Sequence, residues 1–393
     1  MEKKLTAFYS LNQAGFWMIF CISSSFAAVY LNTLGYSNTA LGALLALGSS
    51  LGFLLGTALS SFVDRSPRYN AADLLWLVLA FQAVSFLLLF LFPTRCAVTS
   101  LCYPLLLAFS LTVNTLSLKL CADFEHYESP VNYGVARSMG SAAYMAMSML
   151  LGVCITKFGV RVIPIAGLAV TAVQLSANAL LGAAVVRLHK SFTALHAPTV
   201  QGRSLAVFLR ESPRFCLLLI GSVLIFFSHN TASTFLINIV RHAGGNTASM
   251  GYLSAFIAAL EIPTMLLFSR VYRRRSCSSL LRISFLSFVF KSVALAFAPS
   301  VPLLFAAEML QAPSFGLYAP AIVAYVALVV PYEDSAKGQS LAFNTTTVGS
   351  ILASFIAGRL FDVLPVPATM YIAAAVCAAG VFLAIRGLEE PKQ

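Results

Sequence analysis

Residues 74–91 read LLWLVLAFQAVSFLLLFL, eighteen consecutive positions without a charged side chain. A helical run of that length crosses the hydrocarbon core of a bilayer, which takes about 20 residues. Outward from it, apolar runs separated by short polar or charged punctuation occupy residues 10–33, 40–62, 72–92, 98–121, 133–156, 161–186, 214–240, 248–268, 277–298, 301–330, 338–361 and 366–386. They predict an all-α membrane protein of twelve transmembrane helices. The first run exceeds the apolar core of about 7–15 residues found in secretory signals and reads as the first span. The longest connection, Arg187 to Arg214, separates six spans from six. The expected organisation is an N-terminal six-helix half at 1–190, a linker at 191–213 on the cytoplasmic side, and a C-terminal half at 214–393.

Composition excludes other classes. Of 393 residues, 59% are hydrophobic and 10% charged, where soluble domains carry about 25% charge. No room remains for a separate soluble domain. The net charge of +11 would suggest a nucleic-acid partner in a soluble chain, but the charges lie in short segments between spans, so none is expected. Short cytoplasmic loops collect Lys and Arg. With both termini inside, that side receives 17 of the 25 basic residues, the other side 5, and the spans the last 3. A multi-pass protein of the inner or plasma membrane with cytoplasmic termini follows, expected as a monomer. Eight scattered Cys show neither CxxC pairs nor metal-ligand spacing and read as small buried hydrophobes. There is no Walker loop, His-Glu-x-x-His, Gly-x-Ser-x-Gly or dinucleotide fingerprint, so neither an enzyme nor a cofactor or metal is expected. A proton is the expected coupling ion.

A weak internal repeat links the halves. Ser60-Ser61-Phe62-Val63-Asp64-Arg65 follows the second span, and Leu267-Phe268-Ser269-Arg270-Val271-Tyr272-Arg273-Arg274-Arg275 follows the eighth. Six-helix repeats are a transporter signature, with the binding site expected at their interface near the midplane. Small residues Gly42, Gly48, Gly52 and Gly56 in the second span read as close-packing positions.

Tyr30-Leu31-Asn32-Thr33-Leu34-Gly35-Tyr36-Ser37, the Asp64-Arg65 loop, Tyr133-Gly134-Val135-Ala136-Arg137-Ser138-Met139-Gly140-Ser141 and Glu261-Ile262-Pro263 together resemble the major facilitator superfamily. Within it they are similar to the branch of lactose permease-like and phenylpropionate permease-like proton symporters. The resemblance covers nearly the whole chain and implies alternating access, proton coupling and a cavity face for Arg137 and Lys119. Departures accompany it. Ser60 and Pro67 replace loop glycines, Lys119 stands where relatives carry an acid, Lys291 keeps the sign of the span-9 Arg, and Gln311 replaces a His.

An ionisable side chain inside the hydrocarbon costs at least about 2.5–3.5 kcal/mol and is a functional candidate by default. Five qualify: Lys119, Arg137, Glu261, Lys291 and Glu308. Their formal sum is +1, which an anionic solute would offset. Glu261 is the leading proton carrier, because burial favours the protonated carboxyl and a neighbouring cation the ionised one; a structural pair with Lys291 is its alternative. Glu308 is a second proton site or a rim residue, and His229 a third candidate. Lys119, Arg137, Lys291, Asn114, Asn230 and Gln311 are the expected substrate-binding residues. Lys119 has two other readings, snorkelling to the headgroups or neutralisation by Asp123, Glu125 and Glu128, and the polar candidates can equally join helices. Asp64, Arg65 and Arg273 are assigned to gating. The expected function is proton-coupled uptake of a small, aromatic or aliphatic, carboxylate. Sugar, glycoside or nucleoside transport, efflux, and a non-transporting sensor on the same fold are the alternatives.

Overall fold

The computed structural model describes residues 2–66, 69–126, 131–189, 204–331 and 334–390. They form helices α1 (Glu2–Phe20), α2 (Ala27–Thr33), α3 (Asn38–Arg65), α4 (Ala71–Leu91), α5 (Ala97–His126), α6 (Tyr133–Phe158), α7 (Val162–His189), α8 (Leu205–Glu211), α9 (Pro213–Thr234), α10 (Leu236–His242), α11 (Thr247–Tyr272), α12 (Cys277–Ala296), α13 (Val301–Glu308), α14 (Leu317–Val329), α15 (Ser335–Val363) and α16 (Val366–Gly387). Among the described residues, eleven segments are long and apolar enough to cross a membrane, and α11, 26 residues long, stands in the place of the twelfth. The chain is thus an all-α membrane protein.

Local chemistry sets the helix ends. Ser37 Oγ accepts from Ala40 N at the start of α3, and Asn70 with Asp73 forms a capping box on α4. The turns after α2 and α10 repeat one design: Gly35 (φ 87°) and Gly244 (φ 80°) take left-handed backbone, and Tyr36 N and Gly245 N each donate five residues back, to Leu31 O and Val240 O.

Three expected spans are interrupted. The first contains a π segment, Cys21–Ser25, between α1 and α2. The seventh breaks at Phe235, between α9 and α10. The tenth, expected as one helix over 301–330, runs α13, a 3-10 turn Met309–Gln311, a π segment Ala312–Gly316 and α14. Pro313 has no N–H for its i−4 carbonyl, and the backbone re-registers around it. The linker contains a short helix that its polarity concealed: α8, capped by Ser204, buries Phe208. Linker residues 191–203, like Lys190 and Pro67, lie outside the described residues.

Contacts divide the chain into two compact units, Met1–His196 with Thr247–Ala255, and Ala197–Asn246 with Phe256–Gln393. In the first, Tyr9, Leu75, Leu79, Val113, Leu116, Leu120 and Phe124 form an apolar core. Beside it lies a buried polar clasp in which Gln82 Nε2 donates to Thr171 Oγ1 (2.9 Å) and Gln174 Oε1 (3.2 Å), and Gln82 Oε1 accepts from Ser110 Oγ (3.4 Å). Three of the four α3 glycines named from the sequence pack closely: a Cβ at Gly48, Gly52 or Gly56 would stand 2.8–3.0 Å from Pro104, Leu111 or Thr115 of α5. Lipid offers no hydrophobic drive for helices to associate, so such close approach and interhelical bonds carry the packing.

The second unit packs Phe208, Phe226, Phe285, Phe288, Tyr318 and Tyr325 together. There α9 and α16 cross at Gly221 and Gly380. A Cβ at Gly221 would lie 2.5 Å from Gly380 O and collide with the Ala384 backbone nitrogen. Backbone atoms in two helices cannot yield as a flexible side chain does. Gly221→Val is therefore expected to cost about 1–3 kcal/mol or more by overpacking, read as a lower unfolding temperature in detergent, whereas Gly182→Ala, whose Cβ would meet Ala72 Cβ at 3.7 Å, should be tolerated. All eight cysteines are free thiols.

Candidate functional site

In the second unit, three helical segments bring four of the sequence-derived candidates into one hydrogen-bonded chain. Lys291 on α12 lies 2.7 Å from Glu308 Oε2, at the end of α13. Its Nζ also donates to Gln311 Oε1, and Gln311 Nε2 donates to Glu261 Oε1 of α11 at 2.7 Å. The irregular tenth span makes this possible, because the α-helix stops at Glu308 and the 3-10 turn holds Gln311 one tight turn further on. Glu308, Gln311 and Lys291 are 2%, 1% and 4% exposed, while Glu261 is half-buried. The rim position expected as an alternative for Glu308 is not what is seen. Besides Lys291, no donor among the described residues satisfies Glu308 Oε2.

The chain thus has a closed end at Glu308 and an accessible end at Glu261. With every group ionised it holds two carboxylates and one ammonium. Burying a net charge is costly. One added proton makes the cluster neutral.

His229 of α9 is held as a fixed ring. It stacks on Phe315 of the π segment at 5.4 Å and 6°, with Phe288 and Phe226 edge-on at 5.6 and 6.2 Å. Neither ring nitrogen bonds a described residue. Asn230 is used internally, since its amide donates to Phe226 O (2.9 Å) and Thr346 O (3.3 Å).

In the first unit, Arg137 of α6 lies over the Trp17 ring at 3.9 Å and donates to Ser141 Oγ at 2.6 Å. Gly140 leaves room for the indole, where a Cβ would run into it. The Trp17 Nε1 donor is buried without a hydrogen-bond acceptor among the described residues. One turn above, Ser25 Oγ meets Tyr144 OH at 2.8 Å. Asn114 of α5 is half-buried, and its side chain bonds no described residue.

Lys119 has a different setting. Its Nζ sits 2.9 Å from Asp64 and 2.8 Å from Asp123, so two carboxylates neutralise it. Counted with these partners, Lys119 drops out of the formal sum of spanning charges, and Arg137, Lys291, Glu261 and Glu308 add to zero. The excess of +1 that favoured an anion is gone. The side chains of Glu125 and Glu128, named with Asp123 as neutralisers, lie outside the described residues. Arg65 and Arg273 are exposed without an ion pair among the described residues.

Sequence reasoning missed Trp17, Ser141, Tyr144 and Phe315. The i, i+4, i+7 spacing of Arg137, Ser141 and Tyr144 was a signal for one face of α6, but only the fold shows that Trp17 faces it.

The chain matches the MFS_1 like family over residues 57–373. It is 30% identical over 148 residues to a Deinococcus radiodurans protein named "Putative sugar efflux transporter", an alignment spanning 38% of each chain, so well under two thirds of that relative. Its fold is similar to that of the nucleoside transporter NupG (TM-score 0.78, 14% identity, 99% of both chains). It is also similar to a bacterial homologue of the human lysosomal transporter Spinster (TM-score 0.73, 14% identity, 98% and 97%), and to a POT family peptide transporter (TM-score 0.72, 10% identity, 98% and 96%).

Proposed function

Because the chain belongs to the MFS_1 like family, we propose that this multi-pass membrane transporter moves a small uncharged polar solute of the sugar or nucleoside class, coupled to a proton. The Glu261–Gln311–Lys291–Glu308 chain carries this reading. In the proposed cycle, Lys291 stays paired with Glu308, and Gln311 presents its amide to one oxygen of Glu261. The half-buried Glu261 takes a proton from water on one side and gives it up on the other, as the carrier alternates its access. The cluster is then neutral in its loaded state and short of one positive charge when empty.

The same charge balance disfavours the carboxylate substrate suggested by the sequence. A solute anion beside this cluster would set a third negative charge against one ammonium. Each unit by itself offers partners that suit a hydroxyl-rich solute: in the second the open ring nitrogens of His229, and in the first the Asn114 amide and the Trp17–Arg137 pair, with a flat apolar ring and donors. The similarity to the Deinococcus sugar efflux protein supports the sugar class and favours export as a second reading on direction. The proposed setting is a bacterial inner or plasma membrane, with the arginine-rich side and both termini in the cytoplasm.

Proteoliposomes with a pH indicator in the weakly buffered outer medium test coupling and direction together. Adding a panel of sugars and nucleosides outside is expected to make the medium more alkaline for the transported solute, as protons enter with it. Acidification would mean exchange and favour export. Transport without a pH change would overturn the proton reading.

A further inference from the structure

The two matching turns of the halves balance their charge differently. In the first unit, the turn at the end of α3 carries Asp64, which Lys119 holds at 2.9 Å. In the second, the end of α11 and the turn after it carry Arg270, Arg273, Arg274 and Arg275, all exposed, and no ion pair joins any of them to a described residue. The sequence has no Asp or Glu between Glu261 and Glu308. Four cations within six residues repel one another unless a counterion is supplied from outside the segment.

The apolar side chains beside them indicate where that counterion sits. Phe268 and Tyr272 stack at 5.6 Å and 8° on the last turn of α11, and Leu267 and Val271 are 46% and 40% exposed. Aromatic rings and exposed aliphatics at the end of a spanning helix mark the boundary between acyl chains and headgroups. An anion held by these arginines therefore lies at headgroup depth. Arg presents a planar fork that bonds phosphate oxygens in pairs, and basic clusters just beyond a spanning helix collect anionic lipids.

We propose that the Arg270–Arg275 turn is a binding site for the phosphate headgroup of an anionic glycerophospholipid, whose acyl chains lie along Leu267 and Val271. Arg273, assigned to gating from the sequence, is then a lipid ligand.

The test measures thermal unfolding of the purified full chain in a non-ionic detergent with added phosphatidylglycerol, phosphatidylcholine of the same acyl chains, or inorganic phosphate. Phosphatidylglycerol is expected to raise the unfolding temperature, and the other two to leave it unchanged. The triple variant Arg273→Gln, Arg274→Gln, Arg275→Gln should lose at least half of that shift. Lys157→Gln with Arg161→Gln, exposed basic residues at the opposite end of α6, should keep it. In the unmodified chain, raising the salt from about 0.1 M to about 1 M, where the screening length falls from roughly 10 to 3 Å, should shrink it; this arm holds even if the triple variant fails to fold. A full shift retained in the triple variant, an equal loss in the Lys157 and Arg161 variant, or an equal shift with inorganic phosphate would each overturn the lipid site.

Discussion

Lys291→Met is expected to lower the unfolding temperature steeply at neutral pH, and adding Glu308→Gln to restore most of what is lost. The single change strands a carboxylate that is 2% exposed and whose Oε2 has no donor among the described residues besides Lys291. Breaking a buried ion pair from one side costs about 3–5 kcal/mol, whereas replacing both partners with neutral groups of similar shape is often harmless. An isolated buried carboxyl is tolerated only with a proton bound. Unfolding temperatures of the two single variants and the double variant at two pH values close the cycle. Additive losses would mean that the 2.7 Å contact contributes no coupling.

The second large effect concerns energy rather than stability. Glu261→Gln keeps a side-chain oxygen to accept from Gln311 Nε2 but cannot gain or lose a proton. In vesicles with a pH difference of one unit, one coupled proton supports about tenfold solute accumulation, since each unit is worth 1.36 kcal/mol. In the variant the accumulation ratio should fall to about one, while exchange of labelled for unlabelled solute continues, because exchange requires only that the loaded carrier change its facing. Retained accumulation would remove Glu261 from the coupling role. Loss of exchange as well would mean that the carboxylate serves solute binding or folding.

What the sequence disclosed and what it withheld divide along physical lines. Membrane crossing is written into apolar run length, and residues 74–91 alone announce it, while the number of spans comes from counting the runs. Helix ends were legible where a cap was local, as at Ser37 and Asn70. The interruption of the tenth span was visible in Pro313 and Gly316 in retrospect, but the 3.6-residue period continues on both sides and hides an added residue. The ionisable residues stood out because hydrocarbon penalises them, and Glu261, Gln311, Lys291 and Glu308 do meet. Their pairing was not readable, since it depends on how α11, α12 and α13 face one another. The same gap hid the pairing of Lys119 with Asp64, 55 positions earlier in the chain, where the sequence offered only Asp123, Glu125 and Glu128 as neutralising partners.

The π segment at Ala312–Gly316 also fixes a phase. Each residue added to a helix turns everything after it by about 100°. The wide turn absorbs such an offset, so the end of the tenth span bearing Glu308 and the end bearing Tyr318, Ile322 and Tyr325 point where each is needed. Deleting one residue there would rotate those three side chains out of their core and towards lipid. That segment therefore tolerates a change of side chain far better than a change of length.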